Sequence, residues 1–186
     1  MKYSQKILLK NGKEAWLRNG DASDGSAVYE NYILTHGETD YLLFYPDENC
    51  FDPEKEAKFL EEKTKSPNEI EIIALVDDKV VGTAGITAIG KNCKVRHRAD
   101  FGIAILREYW GLGLGKALTK ACIECAENAG YAQLELTAVA ENTRAVSLYQ
   151  SLGFEEFGRN PRGFLSRTSG YQEVIHMLLN LEGKQS

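Results

Sequence analysis

Three things are scarce in this chain of 186 residues, and each scarcity removes a class of function. Basic charge is the first: 22 Lys and Arg against 27 Asp and Glu leave a net charge of −5. A nucleic-acid partner normally demands a basic face, so none is expected. Long apolar runs are the second. No stretch approaches the roughly 20 residues needed to cross a bilayer, and residues 1–10 hold too short an apolar core for a signal peptide. A cytoplasmic protein without a membrane partner is the expectation. Cysteine is the third: Cys50, Cys93, Cys122 and Cys125 suit that compartment as free thiols. Cys122 and Cys125 form a C-x-x-C, but a zinc site wants a second pair at similar spacing, and Cys50 and Cys93 stand alone. The pair falls inside a helical pattern, where positions i and i+3 share a face, so core packing is expected and no metal. Internal repeats and low-complexity segments are absent too, and the length suits one domain over 1–186.

What is present is a change of period along the chain. Residues 16–24 read as a short strand and a polar turn, where Asp21, Ser23 or Asp24 caps a helix running to about Leu34. Residues 35–52 are irregular, aromatic and acidic. Pro53 opens an amphipathic helix over 54–64, since proline is tolerated in a first turn. From Glu69 the pattern alternates: a strand over 69–76, a turn at Asp77-Asp78, a return strand over 79–88 and a third strand over 94–106. A helix follows over 116–128, ended by Gly130, then a strand over 132–140 and a short helix over 143–151 ended by Gly153. Two last strands fall at 154–158 and 171–179. Hairpins followed by a βαβ crossover describe a mixed α/β domain.

The densest information lies in Asp100-Phe-Gly-Ile-Ala-Ile-Leu-Arg-Glu-Tyr-Trp-Gly-Leu-Gly-Leu-Gly-Lys116. A strand, a turn with Gly111, Gly113 and Gly115, and a helix start gather backbone N–H groups and the positive end of a helix dipole at one point. That is an anion site, most often for phosphate. A Walker A loop needs G-x-x-x-x-G-K-[ST], but Gly111 and Gly115 are one residue too close and Ala117 replaces the hydroxyl. A dinucleotide fingerprint needs G-x-G-x-x-G, and this turn is G-x-G-x-G. Both fail on spacing, and the plain alternative is a turn that lets a helix pack close to a strand.

A second segment, Asn142-Thr-Arg-Ala145-Val-Ser-Leu-Tyr149-Gln-Ser-Leu-Gly153-Phe154, changes the balance. In order and spacing, the two segments resemble the GCN5-related N-acetyltransferases. That family carries Q/R-x-x-G-x-G/A at its acyl-CoA pyrophosphate loop and N-x-x-A-x-x-x-Y-x-x-x-G-F some thirty residues later. The second motif is complete here; in the first, Trp110 stands where glutamine or arginine is usual. The resemblance covers roughly residues 70–180 and implies an acyl-CoA N-acyltransferase fold, a mixed, largely antiparallel sheet flanked by helices.

It also implies acetyl-CoA as cosubstrate, with no metal, and direct transfer to a primary amine without a covalent enzyme intermediate. The third strand and the strand after the long helix would diverge and expose main-chain groups of Ile103, Ala104 and Ile105 to pantetheine. The N–H groups of Gly111, Leu112, Gly113, Leu114, Gly115 and Lys116 would cradle the pyrophosphate. Asn142 matches the residue that bonds the cofactor arm, and it also suits a plain N-cap. Tyr149 matches the tyrosine near the sulfur that acts as general acid, and it also suits a half-buried helix tyrosine. Many relatives place a glutamate where this chain has Thr137. The general base therefore lies among Asp100, Glu135, His97 and a bound water, with Asp100 preferred.

The runs His97-Arg-Ala-Asp-Phe-Gly-Ile103 and Gly170-Tyr171-Gln-Glu-Val-Ile-His-Met177 are similar to the branch acting on free amino acids. Relatives that act on ribosomal-protein or peptide N-termini share much of this pattern, and a non-catalytic acyl-CoA-binding module would share the donor site. A small-molecule amine acceptor is the expected partner, and the resemblance leaves a homodimer open. The acceptor pocket is expected from the variable parts, residues 24–50 and a loop over 159–171. The first supplies Tyr29, Tyr32, Tyr41, Phe44 and Tyr45. The second supplies Arg159, Arg162 and Arg167, suited to a substrate carboxylate or to plain solvation.

Overall fold

The computed structural model describes residues 1–48 and 51–182, so Cys50 lies outside the described residues. The chain runs β1 (Ser4–Leu8), β2 (Glu14–Asn19), α1 (Gly25–Glu38), α2 (Pro53–Lys65), β3 (Ile70–Val76), β4 (Lys79–Ala88), β5 (Arg98–Ile105), α3 (Leu114–Asn128), β6 (Gln133–Val139), α4 (Thr143–Ser151), β7 (Glu155–Ser166) and β8 (Gly170–Asn180). All eight strands join one sheet in the order β1-β2-β3-β4-β5-β6-β8-β7. Every pairing is antiparallel except β5 with β6. The mixed, largely antiparallel α/β architecture is the expected one. Among the described residues no helix is long and apolar enough to cross a membrane.

Local chemistry explains most of the element ends. Asp77 and Asp78 adopt φ of 50° and 61°, the left-handed pair that a tight hairpin demands. Asp52 accepts the Lys55 N–H at 2.8 Å and caps α2, with Pro53 in the first turn. Ahead of α1, Asp21 and Asp24 form a reciprocal capping box, and Arg18 grips the Asp24 carboxylate with two bonds of 2.7 Å. This helix runs to Glu38, one turn past the expected end near Leu34.

Helices cover both faces of the central strands, which is why 70–76 reads as a nearly unbroken apolar run. Alternate residues divide the two sides. Ile70, Ile72, Ala84, Ile86 and Phe101 belong to the main core with Leu114, Leu118 and Cys122 of α3. Ile73 and Val80 pack with Val28 of α1 and Leu60 of α2 on the opposite face. Cys122 and Cys125 are buried in the main core, as the helical spacing predicts. Burial pushes both thiols up, Cys125 to about 11, so neither is poised as a thiolate.

Three expectations need correction. β1 is a strand that the pattern of residues 1–10 does not predict. β5 begins at Arg98 rather than 94. The supposed loop over 159–171 is mostly a long hairpin, in which β7 continues from Glu155 to Ser166. β7 is a largely exposed edge strand without apolar alternation, so its extended form comes from pairing with β8 rather than from its own pattern. Register shifts at 156/158 and 160/164 take up Pro161, which an edge strand tolerates.

Candidate active site

The one parallel pair among the described residues is also incomplete. β5 and β6 are joined at Arg98 with Gln133, Ala99 with Leu134 and Asp100 with Glu135. Beyond that point β5 stays paired to β4 as far as Ile105, and β6 stays paired to β8 as far as Val139. Each strand follows its outer neighbour, and the twisted sheet splits into a wedge. Two bonds set the phase of the β4–β5 ladder: Ile89 N–H to Arg98 O at 3.2 Å and Leu106 N–H to Val81 O at 3.0 Å. Residues 98, 100, 102, 104 and 106 therefore turn their main-chain groups toward β4, and Phe101, Ile103 and Ile105 turn theirs into the wedge. Ala104 is thereby committed to β4 through its backbone. The Ile105 carbonyl accepts the Trp110 indole N–H at 2.7 Å.

The glycine turn stands at the wide end of the wedge. Gly111 and Gly113 take φ of +78° and +95°, conformations that a side chain would strain. A Cβ at either would meet no heavy atom within 4 Å, so the space above the turn is open. Gly115 differs: its Cβ would lie 3.3 Å from Leu148, so it serves the packing of α3 on α4. No side chain caps α3, and its first backbone bond runs from Ala117 N–H to Gly113 O at 3.1 Å. The N–H groups of residues 111–116 find no acceptor among the described residues. Unspent donors on a helix start suit an anion. The Trp110 indole adds two cations, with the Arg107 and Arg144 guanidinium groups 5.6 and 5.5 Å from its ring centre. Lys10 N–H donates to Leu112 O at 3.0 Å and ties the turn to the β1–β2 hairpin.

On α4 the Asn142 side chain accepts the Ala145 N–H at 3.3 Å, which establishes its capping role and leaves its amide N–H2 unspent. Tyr149 is buried between Phe101 and Phe154, with ring centres 6.1 and 5.9 Å away. Burial alone pushes its hydroxyl up to about 12, so it is a neutral phenol at every working pH.

The opposite sheet face carries the titratable groups. Asp100 stands at the apex of the wedge, beside its strand partner Glu135. Its side chain is exposed to the open wedge; partial desolvation by surrounding atoms, and then the Glu135 charge, push it up to about 6. Glu135 is engaged by Arg98, through Nε and through Nη2 at 2.7 Å, and by the Gln133 amide at 2.9 Å. His97 lies before β5, where its carbonyl accepts the Ala132 N–H at 2.9 Å; it is exposed and lines neither of the two hollows on this face. Thr137 bonds across the strands to His176 Nδ1 at 3.1 Å.

Two hollows open on this face. A groove of about 770 Å3 runs from His36 and Tyr41 past Arg107, Trp110 and Glu141 to Tyr171. A narrower cavity of about 240 Å3 lies behind it, between α1, α2 and strands β3–β5, and shares His36 as a wall. Stacked on Tyr32 at 3.8 Å, His36 has its pKa lowered by burial. Of the aromatic set expected here, Tyr32 lines the cavity and Tyr41 and Tyr45 line the groove; Tyr29 and Phe44 line neither. The three arginines of the β7–β8 hairpin are engaged by the protein itself. Arg159 pairs with Glu156 and Glu173, Arg162 covers Tyr171, and Arg167 pairs with Asp47 over the Tyr45 ring. Glu71, Glu56 and Asn31 in the cavity wall escaped sequence reasoning. One signal was available: Glu71 interrupts an apolar strand whose two faces are both covered.

Comparison with known proteins places this geometry. A splayed sheet with an uncapped glycine turn at its mouth defines an acyl-transferase fold class. Residues 35–154 match the family described as Acetyltransferase (GNAT) family. An acetyltransferase of that family from Streptococcus pneumoniae superposes with a TM-score of 0.85 and 30% identity, over 89% of this chain and 99% of that one. The L-amino acid N-acetyltransferase AaaT of Escherichia coli is 29% identical over 60% of this chain and 68% of its own length. The ribosomal protein bS18-alanine N-acetyltransferase of Escherichia coli is 39% identical over 42% and 53% respectively. The chain spans about half the length of several curated relatives it matches. It belongs to the GNAT acetyltransferase family.

Proposed function

We propose that the chain moves an acetyl group from acetyl-CoA to the primary amine of a free amino acid or similar small molecule, by direct transfer. The observation that carries this reading is the run of unspent N–H groups over 111–116 at the open end of the β5–β6 wedge. They would hold the pyrophosphate, and the wedge-facing main chain of Ile103 and the Ile105 N–H would pair with the pantetheine amides, helped by the Asn142 amide. Bound there, acetyl-CoA supplies an activated thioester carbonyl.

The chain's own groups then move protons. Asp100, raised to about 6, is largely ionised at neutral pH and accepts the amine proton, directly or through a water. Tyr149 donates from its Oη to the departing sulfur, and its high pKa keeps that proton available. Glu135 orients Arg98 and keeps the apex negative. The 240 Å3 cavity favours a small acceptor, while the larger open groove supports acetylation of a peptide N-terminus as the second reading.

A thiol-release assay with acetyl-CoA across amino acids, polyamines, aminoglycosides and short peptides tests this. Turnover confined to peptides selects the second reading. Binding of acetyl-CoA with no turnover of any acceptor leaves a non-catalytic acyl-CoA module.

A further inference from the structure

The cavity behind the groove gathers acceptor oxygens that the protein does not fully pair from within. Glu56, on α2, is 8% exposed and lines the cavity, and its carboxylate makes no hydrogen bond among the described residues. Asn31, on α1, is 2% exposed. Its Nδ2 donates to Val80 O at 3.3 Å, which orients the amide and leaves Oδ1 buried without a partner. Leaving such an acceptor unmet is costly, on the order of 1–3 kcal/mol. The third oxygen acceptor is Glu71 of β3. Its carboxylate reaches across β4, where a Cβ added to Gly85 would fall 2.0 Å from Oε2. Three oxygen acceptors thus converge on one small space. Lys63, whose charge acts on Glu71, spends its ammonium on Ile86 O, Thr87 Oγ1 and Glu69.

Glycines lie between this space and the wedge. Glu71 pairs with Gly85, and Gly85 with Gly102 of β5. A Cβ at Gly102 would meet no heavy atom within 4 Å. At the spacing of neighbouring strands, the Glu71 carboxylate lies roughly 5–10 Å from the edge of the wedge. Phe59 and Phe51 wall the same cavity and suit the methylenes of an alkyl chain.

Building on the acetyltransferase reading above, we propose that this cavity holds a second, non-reacting ammonium group of the acceptor, received by Glu71, Glu56 and Asn31 Oδ1. The acceptor class is then an alkyl diamine, basic free amino acids included: one amine is acetylated at the wedge while the other is held behind β4. The charge state of the walls agrees. Desolvation is the main force pushing Glu71 up to about 7, against the pull of Lys63, and Glu56 is raised by burial. A bound ammonium would restore both to carboxylates.

The test compares each diamine with its apolar twin: kcat/KM for cadaverine against pentylamine, and for lysine against norleucine, with acetyl-CoA saturating. The cationic member is expected to be preferred by about tenfold or more, the value of a charge-assisted bond. Glu71→Gln and Glu56→Gln keep the shape and remove the charge, and each should lower that preference ratio by about tenfold. Equal or better turnover of pentylamine and norleucine overturns the proposal, as does a ratio that neither substitution moves. Calorimetric titration of the intact protein with cadaverine and with pentylamine separates this outcome from failure of the transferase reading. If no acceptor releases thiol, tighter binding of cadaverine still supports the cavity's role, and equal or absent binding defeats it.

Discussion

Replacing Tyr149 with phenylalanine separates catalysis from packing unusually well in this fold. The ring stays where it is, against Phe101 and Phe154, so the apolar contacts survive. Only the hydroxyl is lost. Its raised pKa has burial as the sole cause, with no hydrogen bond among the contributors, so no native bond is broken. The hydroxyl is not among the sealed, unpartnered side-chain atoms, so no desolvation penalty is relieved, and Tyr149→Phe should leave Tm within about 2–4 °C of the parent, the equivalent of up to about 1 kcal/mol. Loss of a general acid has a different scale, roughly 100- to 10,000-fold in kcat, or about 3–5 kcal/mol of barrier. Acetyl-CoA affinity should stay within about threefold, because the glycine turn proposed to hold the pyrophosphate is untouched. Differential scanning calorimetry, acetyl-CoA titration and thiol release read the three quantities. A kcat within about threefold of the parent would refute the acid role. A Tm lower by several degrees would show that the hydroxyl has a structural partner. Tyr149→Ala is the contrast, since it also empties the space of the ring and should cost about 3–5 kcal/mol.

Three further outcomes follow from the same geometry. If Asp100 is the base, kcat/KM should climb about tenfold per pH unit below its value of about 6 and level off above it; Asp100→Asn should lower the plateau and remove that limb, and an unshifted limb would assign the base elsewhere. Gly113→Ala places a Cβ at φ +95° into open space beside the unspent amides. It should cost about 1–2 kcal/mol in stability and weaken acetyl-CoA at least tenfold by calorimetry, whereas undiminished affinity would remove the turn from the donor site. Glu71 holds its proton in the folded chain up to about pH 7, but releases it near 4.5 when unfolded. The native state therefore binds more protons between those values. The stability due to this group is full below about pH 4.5 and falls by up to roughly 3 kcal/mol as pH rises through 7. Urea melts of Glu71→Gln should show a shallower decline across that window, and parallel profiles would place Glu71 in solvent.

How much of this was legible depended on how far apart in the chain the cooperating groups lie. The strand, turn and helix of 98–128 are contiguous, and three glycines with a helical pattern behind them describe a local geometry that needs nothing else to form. The same holds for 142–154, where capping residue, tyrosine and stop are spaced by helix turns. β7 was misread because an exposed edge strand carries no apolar period; its conformation is imposed by β8. The arginines of that hairpin read as free cations until Asp47, Glu156 and Glu173 came beside them in space. Trp110, which departs from the family pattern, acquired a reason only when its indole N–H met the Ile105 carbonyl.

The sequence by itself determined the geometry of the proposed donor side: a glycine turn at a helix start, a phenol one helix later and the α/β order that joins them, all written in short-range spacing. Tertiary structure alone assembled the cavity of the proposed acceptor side. Asn31, Glu56 and Glu71 come from two helices and a strand, and meet only because both faces of the sheet are covered. Their chemistry is a product of burial, which raises a carboxyl and strands an amide oxygen, and burial is a property of the folded whole rather than of any segment.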